Sequence, residues 1–261
     1  MISCETHSPI GFFDSGLGGI SVLRQTRKLL PGENCLYYGD SLHAPYGVRP
    51  LEEVQKLTVE AAEKLIDSGI KALVLACNTA TSAAAALLRE KYPELIIIGI
   101  EPALKPAVER HPGGRILVMA TAMTLSEQKF SDLWHQYDDR AEIVPIPCSG
   151  LMEFVERGEM DGETVEAYLL EKLEPFSKVP VDAVVLGCTH YPFLTPVIRR
   201  LLGHGPEILD GGEGTARQLQ RLLAQKGLLN PQPVPGRVEF QNSLENEEIL
   251  ERCRMLLNIE E

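Results

Sequence analysis

Two stretches of the chain are variants of one another, and they narrow its possible folds more than any other feature: Leu73-Val-Leu-Ala-Cys77-Asn78-Thr79 and Val184-Val-Leu-Gly-Cys188-Thr189-His190. Each begins with an apolar run too short for a helix and suited to a buried strand. Each then passes through a small residue to a cysteine and polar groups, where a strand should hand over to a helix. Buried strands that alternate with helices form parallel α/β sheets, so the chain is expected to be α/β.

The surrounding sequence agrees. Ile10-Gly-Phe-Phe13 predicts a strand ending at Asp14-Ser15-Gly-Leu-Gly-Gly19. Val22, Leu23, Leu29 and Leu30 then mark one face of a helix over 20–30, stopped by Pro31-Gly32. Further strands are expected at 35–38, 72–76 and 95–100, with helices at 51–68 and 79–92. The pattern then restarts, with strands at 115–121, 143–146 and 184–187 and helices at 125–136 and 164–173. Ser149 is placed to N-cap a short helix that stops at Gly158. Thr195-Pro196 opens another helix with proline in its favoured first position. Glu63-Lys64-Leu65, strand, Cys77 lines up with Glu171-Lys172-Leu173, strand, Cys188, as an internal duplication would produce. Beyond Asp210, a helix at 215–226, a strand at 237–240 and a helix at 244–257 lack counterparts in the second half. They are expected to pack back on the first. The expected domains are therefore 1–97 plus 210–261, and 98–209, two pseudo-symmetric α/β units.

The bulk properties exclude several function classes. With 37 acidic and 25 basic residues in 261, the net charge of −12 leaves no basic footprint for nucleic acid or an anionic membrane surface. No apolar run approaches the roughly 18 residues of a membrane span, and no signal peptide is seen, so a cytoplasmic location is expected. The six cysteines, at 4, 35, 77, 148, 188 and 253, include no C-x-x-C pair, which argues against a zinc knuckle or disulfide framework. His190 has no further ligands at metal-binding spacing. Gly16-Leu-Gly18-Gly-Ile-Ser21 lacks the last glycine of a dinucleotide fingerprint, and no phosphate loop occurs. No metal and no cofactor are expected.

In open parallel sheets, ligands collect beyond the carboxyl ends of the strands. Asp14-Ser15, Pro45-Tyr46-Gly47, Cys77-Asn78-Thr79, Thr121, Cys148, Cys188-Thr189-His190 and Asp210 all fall there. A single cysteine after a strand serves equally well as a small buried apolar residue. Two at matched positions, each followed by hydroxyl or amide groups, suggest function, and a thiol at a helix N-terminus is acidified below about 8.5. Asn78-Thr79 and Thr189-His190 can cap helices or bind a carboxylate on free backbone N–H groups. Asp14 can cap the helix after it, although glycines intervene. His43, His111, His135 and His204 look like surface or loop residues. Two opposed thiols without a cofactor suit one reaction: a thiolate removes a proton from one face of a carbon and a thiol supplies one to the other. The pair holds one proton between them and titrates as a unit.

Phe13-Asp14-Ser15-Gly16-Leu17-Gly18-Gly19, Tyr38-Gly39-Asp40, Pro45-Tyr46-Gly47, Ala76-Cys77-Asn78-Thr79-Ala80 and Gly187-Cys188-Thr189-His190-Tyr191-Pro192 occur in this order. By these motifs the chain resembles, over nearly its whole length, the glutamate racemases of the cofactor-independent aspartate/glutamate racemase superfamily. The resemblance implies two α/β domains with the site in the cleft between them, and a homodimer. It implies that Cys77 deprotonates D-glutamate and Cys188 L-glutamate, with Asp14 assisting Cys77, and His190 and Glu156 assisting Cys188. Asp14, Ser15, Pro45, Tyr46, Gly47, Asn78, Thr79, Thr121, Thr189 and His190 would bind the substrate. The product, D-glutamate, would feed peptidoglycan synthesis. In Asp210-Gly-Gly-Glu-Gly-Thr215 the family's serine after the aspartate is missing, so a structural role is expected there. The short N-terminal segment argues against activation by a cell-wall precursor. Nothing physical in the sequence measures the substrate's side chain, so an aspartate or other amino-acid racemase is the alternative within the superfamily. Outside it, the alternatives are a cysteine-dependent hydrolase, needing one thiol and a histidine, and a non-catalytic regulatory binding protein, needing neither thiol.

Overall fold

The structure, a computed structural model, describes residues 5–126 and 128–259, so Cys4 lies outside the described residues. The chain forms two compact units, one running to Ile100 and resuming at Gly212, the other Glu101–Gly211. The first contains β1 (Ile10–Asp14), α1 (Ile20–Leu29), β2 (Cys35–Gly39), α2 (Leu51–Asp67), β3 (Ala72–Leu75), α3 (Asn78–Lys91) and β4 (Ile96–Gly99). The second contains α4 (Leu104–Arg110), β5 (Arg115–Ala120), α5 (Ala122–Ser126), α6 (Gln128–His135), β6 (Glu142–Pro147), α7 (Leu151–Glu156), α8 (Glu163–Leu173), β7 (Ala183–Leu186), α9 (Thr195–Leu202) and β8 (Glu207–Asp210). The chain returns to the first unit with α10 (Gly212–Gln225), β9 (Val238–Asn242) and α11 (Glu247–Leu257).

Every strand pairing is parallel. The first sheet runs β4-β3-β1-β2-β9 and the second β6-β5-β7-β8. In the order in which each unit's own strands occur, both sheets read 2-1-3-4, and the first adds β9 beside β2. The same doubly wound order thus stands behind both matched stretches. Every residue of β1, β2, β3 and β7 is buried, because helices cover both faces of a parallel sheet. Fully buried Leu73, Val74 and Leu75 each contribute about 1.5–3 kcal/mol relative to exposure. In the second unit Ile116, Val118, Val185, Leu104 and Val108 share a core cluster with Phe130, against which Trp134 packs.

At the amino ends of the first sheet a buried ion pair fixes the return segment. Lys71 Nζ lies 2.5 Å from Glu33 Oε2, with both side chains buried. Lys71 also donates to Leu228 O (2.8 Å), and Glu33 Oε1 accepts the Asn230 N–H (2.8 Å). In the returning segment β9 pairs with β2 from Cys35↔Val238 to Gly39↔Asn242.

Four local expectations need correction. The seven-residue α4 was not anticipated. Pro106 lies in its first turn, where proline is tolerated, while Leu104, Ala107 and Val108 bury one face. The helix expected from 125 begins earlier, at Ala122; its residues are described as α5 and α6 because residue 127 between them lies outside the described residues. Gly150, at φ 88°, occupies the cap position of α7, a conformation open to glycine, and Ser149 instead offers its carbonyl to the Tyr168 hydroxyl (2.7 Å). α10 begins at Gly212 rather than at Thr215.

Candidate active site

In a 2-1-3-4 sheet the connections depart in opposite directions from the central pair, and the crevice this opens at the strand ends is where ligands bind. In the first unit that pair is β1 and β3, leading to Asp14-Ser15 and Cys77. In the second it is β5 and β7, leading to Thr121 and Cys188. Phe13 pairs with Leu75 and Met119 with Leu186, so two residues on, Ser15 is level with Cys77 and Thr121 with Cys188.

Cys77 is the N-cap of α3, and its sulfur accepts the Ala80 N–H at 3.5 Å. The positive end of the helix favours negative charge at this point. The Ser15 hydroxyl lies 3.4 Å from the same sulfur. Asn78 and Thr79 follow in the first turn of α3, both buried. Asn78 Oδ1 is buried without a hydrogen-bond partner, a costly arrangement that a bound donor would relieve.

Asp14 is fully buried and does not cap α1; Gly19 stands in that position without a side-chain bond. Asp14 Oδ1 instead accepts the Gly16 N–H at 2.9 Å, and the Tyr37 hydroxyl donates to Gly16 O at 2.7 Å. A Cβ on Gly19 would lie 2.7 Å from Asp14 Cβ and 2.8 Å from Ala76 Cβ, so only glycine lets the turn close over the carboxylate. The neighbouring segment is tied to the same place. Asp40 N–H donates to Asp14 O (2.9 Å), and the buried Tyr46 hydroxyl donates to Asp40 Oδ2 (2.7 Å). Burial first, and then the hydrogen bond and charge of Asp40, push the Tyr46 phenol well above its usual range, so it remains a donor. Pro45 and Gly47 flank it, half-buried. His43, expected to be a surface or loop residue, holds Asp40 Oδ1 through Nδ1 at 2.8 Å.

In the second unit Cys188 is not at an α-helix N-terminus. A turn and a short 3-10 helix, Tyr191–Leu194, separate it from α9. Its partner comes from that turn: His190 Nδ1 lies 3.6 Å from the sulfur, and His190 Nε2 lies 2.7 Å from Glu156 Oε1 at the end of α7. Burial alone would push the His190 imidazole down. Its hydrogen bonds to Cys188 and Glu156, and their negative charge, outweigh this and hold it well above the usual histidine range. Glu156 is thus largely enclosed and paired. Thr189 is buried beside it. Thr121 lies at the expected strand end, where its oxygen accepts the Thr124 N–H (3.2 Å) and its hydroxyl donates to Thr124 Oγ1 (3.0 Å), closing the first turn of α5.

Cys188 is partly exposed, whereas Cys35, Cys77, Cys148 and Cys253 are buried. Burial pushes the Cys35 and Cys148 thiols up to about 12, which removes them as nucleophiles. Among the described residues no cluster of three or more His, Cys, Asp or Glu could hold a metal ion, and no helix is long and apolar enough to cross a membrane. Sequence reasoning missed Asp40 and His43 as the brace of Tyr46; their i, i+3 spacing was the available signal. It also missed Tyr191, whose buried hydroxyl donates to Cys148 O at 2.8 Å and steadies the turn beside Cys188.

Residues 20–219 match the Asp/Glu/Hydantoin racemase family. The chain is 49% identical over 253 residues to a glutamate racemase of Clostridium perfringens (strain 13 / Type A), an alignment covering 97% of each chain. It resembles the solved structure of a glutamate racemase isoform from Bacillus anthracis with a TM-score of 0.85 at 32% identity, over 98% of this chain and 96% of that one. It also resembles the glutamate racemase of Francisella tularensis in complex with D-glutamate, with a TM-score of 0.83 at 28% identity, over 98% and 95% of the two chains.

Proposed function

Because the chain belongs to the Asp/Glu/Hydantoin racemase family, and within it stands with the glutamate racemases, we propose that it interconverts L- and D-glutamate by proton transfer between two cysteines and the α-carbon. The observation that carries this reading is the run of contacts from Glu156 through His190 to Cys188. A buried imidazole that binds its proton more tightly than usual, 3.6 Å from a sulfur and backed by a carboxylate, is placed to balance the charge that proton transfer between that sulfur and carbon requires.

In the L-to-D direction the Cys188 thiolate removes the α-proton and becomes a thiol. The Cys77 thiol delivers its proton to the opposite face and becomes a thiolate. The enzyme left behind is the protonation state needed for D-glutamate, where the roles reverse. Asp14 assists proton movement at Cys77, and His190 with Glu156 does so at Cys188. The unpartnered Asn78 carbonyl oxygen suits the α-ammonium group. Thr79, Thr189, Thr121, Ser15 and the Pro45-Tyr46-Gly47 segment supply further contacts to the substrate. No step calls for a cofactor. We place the enzyme in the cytoplasm as a homodimer, with its D-glutamate entering peptidoglycan synthesis.

Circular dichroism started from pure L-glutamate and from pure D-glutamate tests the reading. Wild type should racemise both, while Cys77→Ala and Cys188→Ala should racemise neither; full activity in either variant would falsify the two-base scheme. In D₂O the product should carry α-deuterium and recovered substrate should not. Deuterium washing freely into substrate would rule out a single insulated acid on each face.

A further inference from the structure

We propose that Asn242 and Ser243, at the end of the last strand, are positioning residues for the Tyr46-Gly47 segment, an inference that rests on the substrate-binding role given to that segment above. Asn242 is buried and stands in register with Gly39. Its Nδ2 donates to Ser41 Oγ at 2.9 Å, and its Oδ1 accepts the Leu244 N–H at 3.0 Å, so both ends of the amide are engaged. Ser243 N–H donates to Gly39 O at 3.0 Å, and Ser243 Oγ accepts the Leu42 N–H at 2.9 Å. Three of these bonds end on Gly39, Ser41 and Leu42, the residues on either side of Asp40. Asp40 in turn holds Tyr46 and His43 through its carboxylate.

The packing leaves no slack in this chain of contacts. A Cβ on Gly39 would lie 2.5 Å from Gly16 O and 2.9 Å from Asn242 Nδ2, so the strand end is wedged between the Asp14 turn and Asn242. A shift at Asn242 therefore passes to Asp40 and on to Tyr46. Among the described residues the second unit, which shares the 2-1-3-4 order, has no strand beyond β6, so this support is specific to the unit that carries Cys77. A strand that only completed the sheet would need backbone bonds alone. Here the side chains reach past the sheet's end into the segment that follows β2.

The test is steady-state racemisation in both directions at 25 °C, with melting temperatures measured in parallel. Asn242→Leu removes both amide contacts at similar volume. Ser243→Ala removes the acceptor for Leu42, and Ser243→Thr keeps it. Gln241→Ala, exposed on the same strand and bonded to Glu239, is the control. Asn242→Leu should raise KM for both enantiomers about tenfold with a smaller change in kcat, as a misplaced binding group does. Ser243→Ala should raise KM severalfold, Ser243→Thr should restore it, and Gln241→Ala should match wild type. If Asn242→Leu does not fold, the serine pair carries the test. A lower melting temperature with unchanged KM in Asn242→Leu and Ser243→Ala would overturn the inference while wild-type activity stood. Absence of glutamate racemisation in wild type would instead sink the functional reading.

Discussion

The turns after β3 and β7 begin from the same plan and end differently. In both, a four-residue buried strand in third place leads through a small residue to a cysteine, level with a hydroxyl residue at the end of the first strand. In the first unit that hydroxyl, on Ser15, stays beside the sulfur, and the cysteine itself caps a helix. In the second, Thr121 closes its own helical turn, and the sulfur is served by His190, which leans on Glu156. The small residue before each cysteine differs as well. Ala76, before Cys77, has its methyl in the space Gly19 leaves, whereas Gly187, before Cys188, itself leaves room for the methyl of Ala120. A shared topology thus fixes where a sulfur stands, while the loops beyond the strands decide what electrostatic help it receives.

The largest effect expected from breaking this comparison is loss of a sulfur. Cys188→Ala and Cys77→Ala should each lower racemisation in both directions by at least about a thousandfold, since each removes one acid and one base. A loss confined to one direction would mean that the two thiols do not share a single reaction.

The next effect separates the helpers. His190→Asn should cost about a hundredfold, because the group that balances charge at Cys188 is lost. Ser15→Ala should cost only a few-fold, since one weak hydroxyl contact disappears and the helix end remains. Equal losses would erase the distinction drawn between the two turns.

Stability against pH sharpens it further. His190 binds its proton more tightly in the folded than in the unfolded chain. Its contribution is therefore complete below an unfolded value of about 6.5 and is lost as pH rises through the higher folded value. Melting curves should show wild type losing its advantage over His190→Gln as pH climbs above neutrality. A gap independent of pH would show that the imidazole is not held charged.

The smallest effect concerns the space beside Gly187. Gly187→Ala should destabilise by about 1–3 kcal/mol, because its Cβ would meet Ala120 Cβ at 2.8 Å. Ala120→Gly on the same background should recover part of that in denaturant titrations. Strictly additive changes would mean that the two positions do not share this space.

The strands and their handovers were legible because parallel strands write themselves as unbroken apolar runs, and both cysteine stretches do so. The positions of Asp14, Cys77, Cys188 and His190 at or just beyond the strand ends were legible because polar residues there interrupt such a run. What stayed hidden depends on partners distant in sequence. Lys71 and Glu33 look like surface charges until the fold buries them together, and Asn242 lies about two hundred residues from Ser41. Glu156 could be placed on a short helix, but nothing local in sequence aims it at His190. The α4 helix escaped because seven residues that include a proline show too little periodicity to register.

The strand order carries one more consequence, for how the molecule avoids its own kind. In the first unit β9 covers the outer side of β2, but β6, in the matching place, is a sheet edge. Glu142 and Cys148 direct their N–H groups to the β5 side, at Gly114 O and Ala120 O. By alternation Ile143, Pro145 and Pro147 face outward, and proline has no N–H to offer. An incoming strand would find a ladder with two of its rungs sawn off. Restoring them with Pro145→Val and Pro147→Val would create a sticky margin prone to intermolecular strand addition. The prolines thereby act as a guard against aggregation along the side of the second sheet whose counterpart in the first is covered by β9.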